Sequence, residues 1–191
     1  MKLRKQFHCF FAVCAFLISS GAIATAQDAA PMKPADVVKT HTFVSLDRVP
    51  RGKEFQAAVV VDIAENYHMN SHKPAESYLI PTTLTPQLPA GIRLVDTMYP
   101  KGHLKKFPFS PDKALDVYSG RVTLRLKLAA EDSTPIGKTM IPIVLLYQAC
   151  NNSACLPPVK VPVTVELQIA ATGAISHLVH PEVFSAAATQ K

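Results

Sequence analysis

Apolar and polar residues alternate along much of the chain, and this alternation predicts β-strands. The clearest case is the segment 159–169, where valine, leucine and isoleucine occupy the odd positions and mostly polar residues the even ones. A period of two is typical of a strand with one buried and one exposed face. Pro162 lies inside this segment and favours an edge strand, because proline donates no ladder hydrogen bond.

Several other segments carry a strand signal. Residues 122–128 also alternate. The segment 54–63 is rich in valine and alanine, which predicts a buried strand, and 140–149 is almost continuously apolar, as in a central strand. Sixteen prolines spread between these segments argue against long helices. Weaker strands are predicted over 38–46, 79–85 and 92–98.

The predicted elements indicate an all-β fold. About seven or more strands separated by polar turns favour an immunoglobulin-like antiparallel β-sandwich, with a closed barrel as the alternative. The domain is expected to cover residues 36–169. The chain then becomes rich in alanine, serine and threonine, which predicts a flexible tail over 170–191.

The amino terminus has the features of an export signal. Three basic residues within the first five precede an apolar segment over 7–23, and Ala24-Thr25-Ala26 provides a small-residue cleavage pattern. We therefore expect a signal peptide over 1–26, cleaved after Ala26, followed by a disordered linker over 27–35. The protein is expected to be periplasmic or otherwise exported; an uncleaved membrane anchor is the alternative.

Charge excludes some classes of function. Residues 1–26 carry three positive charges and no acidic residue, so cleavage changes the net charge from +6 to +3. This charge is too small to predict nucleic-acid binding. The seven glycines form no phosphate-binding loop, so neither a nucleotide nor another cofactor is expected.

The cysteines provide the strongest chemical signal. Cys9 and Cys14 lie in the predicted signal peptide, which leaves Cys150 and Cys155 in the mature chain. The four polar or small residues between them suit a hairpin turn, which would place their Cα atoms about 5 Å apart, within disulfide range. Paired thiols in an oxidising compartment are usually disulfides or redox couples.

The short spacing bears on the role of this bond. Closing so small a loop stabilises a fold by only about 2 kcal/mol, against nearly 5 kcal/mol for a loop of about a hundred residues. A bond at a hairpin tip is also open to thiolate attack. From the spacing alone, a redox couple, a structural staple and a metal site all remain open.

Four groups of residues resemble one known family. The first is Tyr147-Gln148-Ala149-Cys150 followed by Cys155-Leu156-Pro157-Pro158, which resembles the active-site hairpin of the amino-terminal periplasmic domain of DsbD, the transmembrane thiol:disulfide interchange protein. The other groups occur in the family's order and bring the resemblance to roughly residues 36–169. They are 67–74 with 79–82, 99–102 with 105–109, and 117–120.

The resemblance implies a protein-disulfide reductase type of exchange. Cys150 and Cys155 would cycle between disulfide and dithiol, with Cys150 forming the transient bond to the partner and Cys155 resolving it. In the family, electrons come from a thioredoxin-like domain downstream of a membrane core and pass to periplasmic isomerases and cytochrome c maturation proteins. Since the sequence ends at Lys191 without those parts, the expected partners are thioredoxin-like redox proteins, a separate membrane electron donor and periplasmic proteins that carry disulfides.

The resemblance also implies roles for residues around the cysteines. Phe107, or Phe109, would shield the pair as the aromatic residue of a cap loop, and Tyr147 would pack beside it. The best-studied form of this domain has acidic residues before the cap aromatic and tyrosines on the facing strand. Here Lys105 and Lys106 precede the aromatic.

His68 and Asn70 occupy the positions of those tyrosines. Because positive charge favours a thiolate, the basic residues near the cap predict a thiol pKa below the free-cysteine value of about 8.5.

Two further functions compete with redox exchange. His68, Met69 and His72 are weak candidates for copper ligands, because imidazole and thioether groups suit that metal. This would make the chain a periplasmic copper-binding or copper-handling domain. The last alternative is a non-catalytic β-sandwich that serves as an interaction module and carries a structural disulfide.

Overall fold

The computed structural model describes residues 32–185. The predicted signal peptide and residues 27–31 of the predicted linker lie outside this range. Residues 34–36 form a short 3-10 turn at the start of the domain. Over residues 32–185, no helix is both long and apolar enough to cross a membrane.

The described residues form twelve strands and one short helix, α1. The strands belong to three sheets, and all pairings are antiparallel except that of β2 with β12. The bounds are β1 Val38–Val44, β2 Val49–Pro50, β3 Glu54–Ile63, β4 His68–Asn70, β5 Thr83–Pro86, β6 Ile92–Met98, β7 His103–Phe107, β8 Ser110–Tyr118, β9 Arg121–Ala130, β10 Gly137–Tyr147, β11 Ala149–Cys150, β12 Val159–Ala170 and α1 Pro181–Phe184.

Two of the sheets face each other across the main core. One has the order β1-β3-β9-β6 and the other β2-β12-β10-β5. Alternate side chains of each sheet point inward, as the period of two predicts. This arrangement confirms the predicted all-β sandwich. The most deeply buried side chains come from both sheets and include Val59, Val61, Leu124, Leu126, Leu128, Ile141, Ile143, Leu145, Val165 and Ile169.

The apolar segment 140–149 behaves differently from a strand buried on both faces. It forms most of β10, which lies between β12 and β5 as a central strand should. Ile143 and Leu145 are buried, whereas Met140 is 57% exposed. Buried and exposed positions therefore alternate along β10, but the sequence does not show this because some of the exposed positions are also apolar.

Pro162 lies where the sequence places it, beside an open edge. It is opposite Val144 in the ladder between β10 and β12. On the other side of β12, the short strand β2 pairs only with Ile169 and Ala170. The missing N–H of Pro162 therefore interrupts no ladder.

The third sheet has the order β11-β4-β8-β7 and carries the cysteine hairpin. Alternation of apolar and polar residues cannot predict these strands, because β4 and β11 have only three and two residues and β7 is mostly polar. Residues 103–118 form a hairpin of β7 and β8, which we call the cap hairpin. It has its own small core of Leu79, Phe107, Leu115 and Val117.

Residues 171–185 differ from the predicted flexible tail, because they pack back on the first sheet. Val183 is 7% exposed and lies against Ala58 and Val60. Nη2 of Arg125 donates hydrogen bonds to the carbonyl oxygens of Val183 and Ser185. The composition of this segment does not reveal that Val183, with Phe184 packed beside it, anchors the segment on the outer face of the sheet.

Replacing this anchor should release the segment. In Val183→Asp, a charged side chain would replace the apolar contact with Ala58 and Val60, so we expect residues 171–182 to become sensitive to proteases while the domain loses only about 1 kcal/mol of unfolding free energy. Limited proteolysis with mass spectrometry measures the effect. Glu182→Gln is the control, because Glu182 is the exposed neighbour of Val183. Equal cleavage of Glu182→Gln and Val183→Asp would contradict the role of Val183 as an anchor.

Candidate functional site

Cys150 and Cys155 form a disulfide across a tight turn. The S–S distance is 2.09 Å and the Cα atoms are 3.9 Å apart, closer than the hairpin estimate of about 5 Å. Asn151 builds the turn, since its Oδ1 accepts hydrogen bonds from the backbone N–H groups of Ser153 and Ala154. A side chain that imitates a backbone acceptor is a common way to stabilise such a turn.

The two cysteines differ in exposure. Cys150 lies at the end of β11 and is 1% exposed, whereas Cys155 is partly exposed. Residues 152–154 of the turn between them are exposed. An incoming thiolate therefore has access to the Cys155 side of the bond.

His68 lies beside Cys150 on one face of the third sheet. The two residues are opposite each other in the ladder between β4 and β11. On this face, Nδ2 of Asn70 donates a hydrogen bond of 3.0 Å to Oε1 of Gln148, which shows that their side chains point the same way. Because side chains two positions apart share a face, His68 and Cys150 are direct cross-strand neighbours.

The cap hairpin covers His68. Phe107 is 2% exposed and meets the His68 ring edge-on, with ring centroids 5.3 Å apart. Phe109 stacks on the outer side of Phe107 at 5.1 Å and is 39% exposed. Of the two aromatic residues that the sequence offers as a cap, Phe107 is the inner one and Phe109 the outer one.

The two lysines before Phe107 occupy different environments. Nζ of Lys105 forms a hydrogen bond with Nε2 of His68 and lies 5.5 Å from the centre of the Phe107 ring. Lys106 is exposed. Lys105 therefore belongs to the site, whereas Lys106 faces solvent.

The environment keeps His68 uncharged at neutral pH. Burial lowers the pKa of His68 below its ordinary value, and the neighbouring Lys105 and His103 lower it further. The Tyr67 carbonyl opposes them by raising this pKa, but the net change is downward. A neutral imidazole carries one donor and one acceptor nitrogen.

Asn70 and Gln148 hold the strands of the site together. Asn70 is fully buried, and its Nδ2 also donates to the Ile80 carbonyl. Oε1 of Gln148 accepts a second hydrogen bond from the Ile80 N–H, and its Nε2 donates to the Leu156 carbonyl. We call these contacts the Gln148 clamp. It joins β4 to the residue that follows Cys155.

Periodicity could not reveal the clamp, because its partners are far apart in sequence. Gln148 appears in the matching hairpin motif, but nothing in its position indicates that it bridges two segments. Asn70 was predicted as a neighbour of the site, and its observed contacts are with the backbone and with Gln148.

Tyr147 belongs to the main core rather than to the cap. It is fully buried at the end of β10, and its hydroxyl donates a hydrogen bond to the Pro34 carbonyl. Burial, with a smaller contribution from the charge of Asp36, raises the pKa of Tyr147 to about 12. The phenol thus stays protonated and ties the amino-terminal turn to the sandwich, one strand away from the disulfide.

The three candidate copper ligands do not converge. Met69 points to the opposite face from His68 and is fully buried in the main core. His72 stacks on Tyr99 with ring centroids 3.6 Å apart, and its Nδ1 bonds to the Thr82 carbonyl. Among residues 32–185, no group of three or more His, Cys, Asp or Glu side chains is arranged to hold a metal ion.

The chain matches one protein family along most of its length. The family is described as "Thiol:disulfide interchange protein DsbD, N-terminal", and the match covers residues 35–167. These bounds include all three sheets up to the last residues of β12. No curated protein matches the chain.

Three solved structures resemble part of the chain at low sequence identity. The reduced DsbD amino-terminal domain of Neisseria meningitidis is 17% identical, with a TM-score of 0.43, and 78% of this chain and 95% of that one are covered. The amino-terminal periplasmic domain of ScsB from Proteus mirabilis is 13% identical, with a TM-score of 0.48 and coverages of 70% and 47%. A complex of the DsbD and PilB amino-terminal domains from N. meningitidis is 18% identical, with a TM-score of 0.38 and coverages of 64% and 80%.

Proposed function

Because the chain belongs to the family of the amino-terminal domain of the thiol:disulfide interchange protein DsbD, we propose that Cys150 and Cys155 relay reducing equivalents as a dithiol/disulfide couple. The observation that carries the proposal is their disulfide at an exposed turn, with one cysteine buried and the other within reach. The residues around it are supplied by the third sheet and its cap hairpin.

The exposures support an order of attack. A donor thiolate attacks the sulfur of Cys155, the S–S bond breaks, and its electron pair leaves on Cys150. The donor's second cysteine then attacks the sulfur of the donor's first cysteine in the mixed disulfide. This step releases Cys155 and leaves the donor with a disulfide. With the uptake of two protons, the couple has gained two electrons as a dithiol.

The oxidative half of the cycle reverses these roles. The Cys155 thiolate attacks the disulfide of an acceptor protein, and Cys150 then resolves the mixed disulfide by attacking Cys155. This order is the opposite of the one expected from the resemblance, in which Cys150 formed the bond to the partner. The proposal follows the exposure, because a fully buried sulfur cannot meet a foreign cysteine without opening the cap.

We take the partners to be proteins with cysteine pairs of their own. A thioredoxin-like protein would act as donor, and periplasmic proteins that carry disulfides would act as acceptors. The predicted signal peptide supports a location outside the cytoplasm, where such disulfides form. Cytochrome c maturation is one process that this relay would serve.

Trapping tests the order of attack. In Cys150→Ala, the reachable Cys155 has no resolving partner, so we expect covalent adducts with redox proteins in native cells that disappear on reduction. In Cys155→Ala, the remaining Cys150 is buried and should trap much less. More adduct in Cys155→Ala would reverse the proposed order, and none in either single variant would contradict the proposed exchange.

The redox equilibrium separates a relay from an interaction module with an inert disulfide. A structural disulfide has a potential below about −300 mV and resists glutathione, whereas a relay must be reducible by its donor. We expect the wild-type couple to equilibrate with glutathione buffers at a higher potential. Quantifying free thiols after acid quenching gives this value, and a bond that stays closed throughout would favour the module.

A further inference from the structure

One buried nitrogen beside the disulfide has no partner. Nδ1 of His68 is fully buried and makes no hydrogen bond of good geometry with any residue in the described range, although the Tyr67 carbonyl is near enough to raise the pKa of this ring. An unpaired buried donor or acceptor costs about 1–3 kcal/mol. Because this nitrogen lies next to the cysteine pair, we consider which hydrogen-bond partner it gains when the disulfide opens.

Lys105 determines which hydrogen this imidazole carries. A lysine ammonium can only donate, so Nε2 of His68 must accept in the contact with Lys105. Because His68 is neutral, its single hydrogen is then on Nδ1. The unpartnered atom is therefore an N–H donor.

The exchange reaction creates an acceptor next to it. When a thiolate attacks Cys155, the electron pair of the broken bond leaves on the sulfur of Cys150. That sulfur becomes a thiolate in a place that is 1% exposed, where water does not solvate it. A buried charge without a hydrogen-bond donor is strongly disfavoured.

We propose that His68 is a positioning residue whose Nδ1–H donates to the Cys150 thiolate, with Lys105 fixing the tautomer from the other side of the ring. The inference rests on the proposed function and adds the group that stabilises its leaving sulfur. No proton is transferred in this contact, and the imidazole stays neutral. The charged and titratable groups around His68 are Lys105 and His103 from β7 and Cys150 from β11.

The packing around the ring supports this role. Phe107 meets the imidazole edge-on and keeps water from the site. In the ladder, Cys150 is directly opposite His68, so the two side chains are neighbours on one face of the sheet. A disulfide sulfur is a poor acceptor, which explains why Nδ1 is unpaired while the bond is closed.

The test measures the thiol pKa of Cys150 in a Cys155→Ala background. A hydrogen bond to a charged group contributes about 1.5–3 kcal/mol, so removing it with His68→Phe should reduce the thiolate fraction at a given pH by about tenfold or more. His68→Asn places an amide nitrogen near the position of Nδ1 and should retain most of the thiolate. Ultraviolet absorbance of the thiolate during a pH titration gives each value.

Further variants separate this role from a structural one. Lys105→Met should lower the thiolate fraction, whereas the matched control Lys106→Met, at an exposed position, should leave it almost unchanged. In the oxidised protein with both cysteines, His68→Phe removes an unsatisfied donor, so urea unfolding should show little loss of stability.

An equal thiol pKa in His68→Phe and its parent would overturn the inference, as would equal effects of the Lys105 and Lys106 variants. Either result leaves the proposed exchange intact if the wild-type couple still equilibrates with glutathione. A couple that failed to equilibrate would instead contradict the proposed function.

Discussion

Phe107→Ala is expected to destabilise the domain by about 3 kcal/mol and to speed the reduction of its disulfide. The first effect follows from removing a buried aromatic ring from the small core of the cap hairpin, where it lies with Leu79, Leu115 and Val117. The second follows because water would then reach His68 and, beside it, the sulfur of Cys150, on which the electron pair of the broken bond leaves. If the opening lowers the barrier to thiol attack by about 1.4 kcal/mol, the rate rises about tenfold.

Phe109→Ala is the matched control for this prediction. Phe109 stacks on Phe107 but is already 39% exposed, so its removal uncovers neither His68 nor the cysteines. A time course of disulfide reduction by glutathione, with samples quenched in acid, gives the rate of reduction. Urea unfolding gives the free energy of unfolding. Equal rates for the two variants would show that the inner ring does not control access to the bond.

The strands of the sandwich could be predicted from the sequence where they are long and have one face exposed to solvent. Residues 159–169 alternate over their full length, and β12 occupies Val159–Ala170. The same reasoning fails for β4, because a strand of three residues contains no period. It also fails for β7, because this strand contributes only Phe107 to the small core of its hairpin and its other side chains are exposed or partly exposed.

In the site, too, local features could be predicted from the sequence, whereas contacts between distant segments could not. The spacing of Cys150 and Cys155 sufficed to predict that they can bond, because the contact is local. The family resemblance brought His68 and Phe107 to attention. Their arrangement required the tertiary structure, since the contact of Lys105 with His68 spans the gap between β7 and β4. Local composition likewise could not show that Val183 finds a buried position on a distant sheet.

The Gln148 clamp leads to the second large effect. Gln148→Leu keeps the volume of the side chain but removes the acceptor for the N–H groups of Asn70 and Ile80 and the donor to Leu156. With the three partly buried hydrogen bonds of Gln148 lost, we expect a loss of about 2–4 kcal/mol in the free energy of unfolding. The matched control is Gln168→Leu, because Gln168 is exposed and should change stability by no more than about 0.5 kcal/mol.

The loss should depend on the redox state, which distinguishes the clamp from ordinary packing. In the oxidised protein the disulfide already holds Cys155, and with it Leu156, close to β11. In the reduced protein the contact from Nε2 of Gln148 to Leu156 is one of the remaining links, so Gln148→Leu should destabilise the dithiol form more than the disulfide form. Because the mutation then penalises the reduced state selectively, the reduction potential must fall. Urea unfolding of both forms and a glutathione titration measure the same difference independently, and equal destabilisation of the two forms would contradict a clamp that acts on the redox turn.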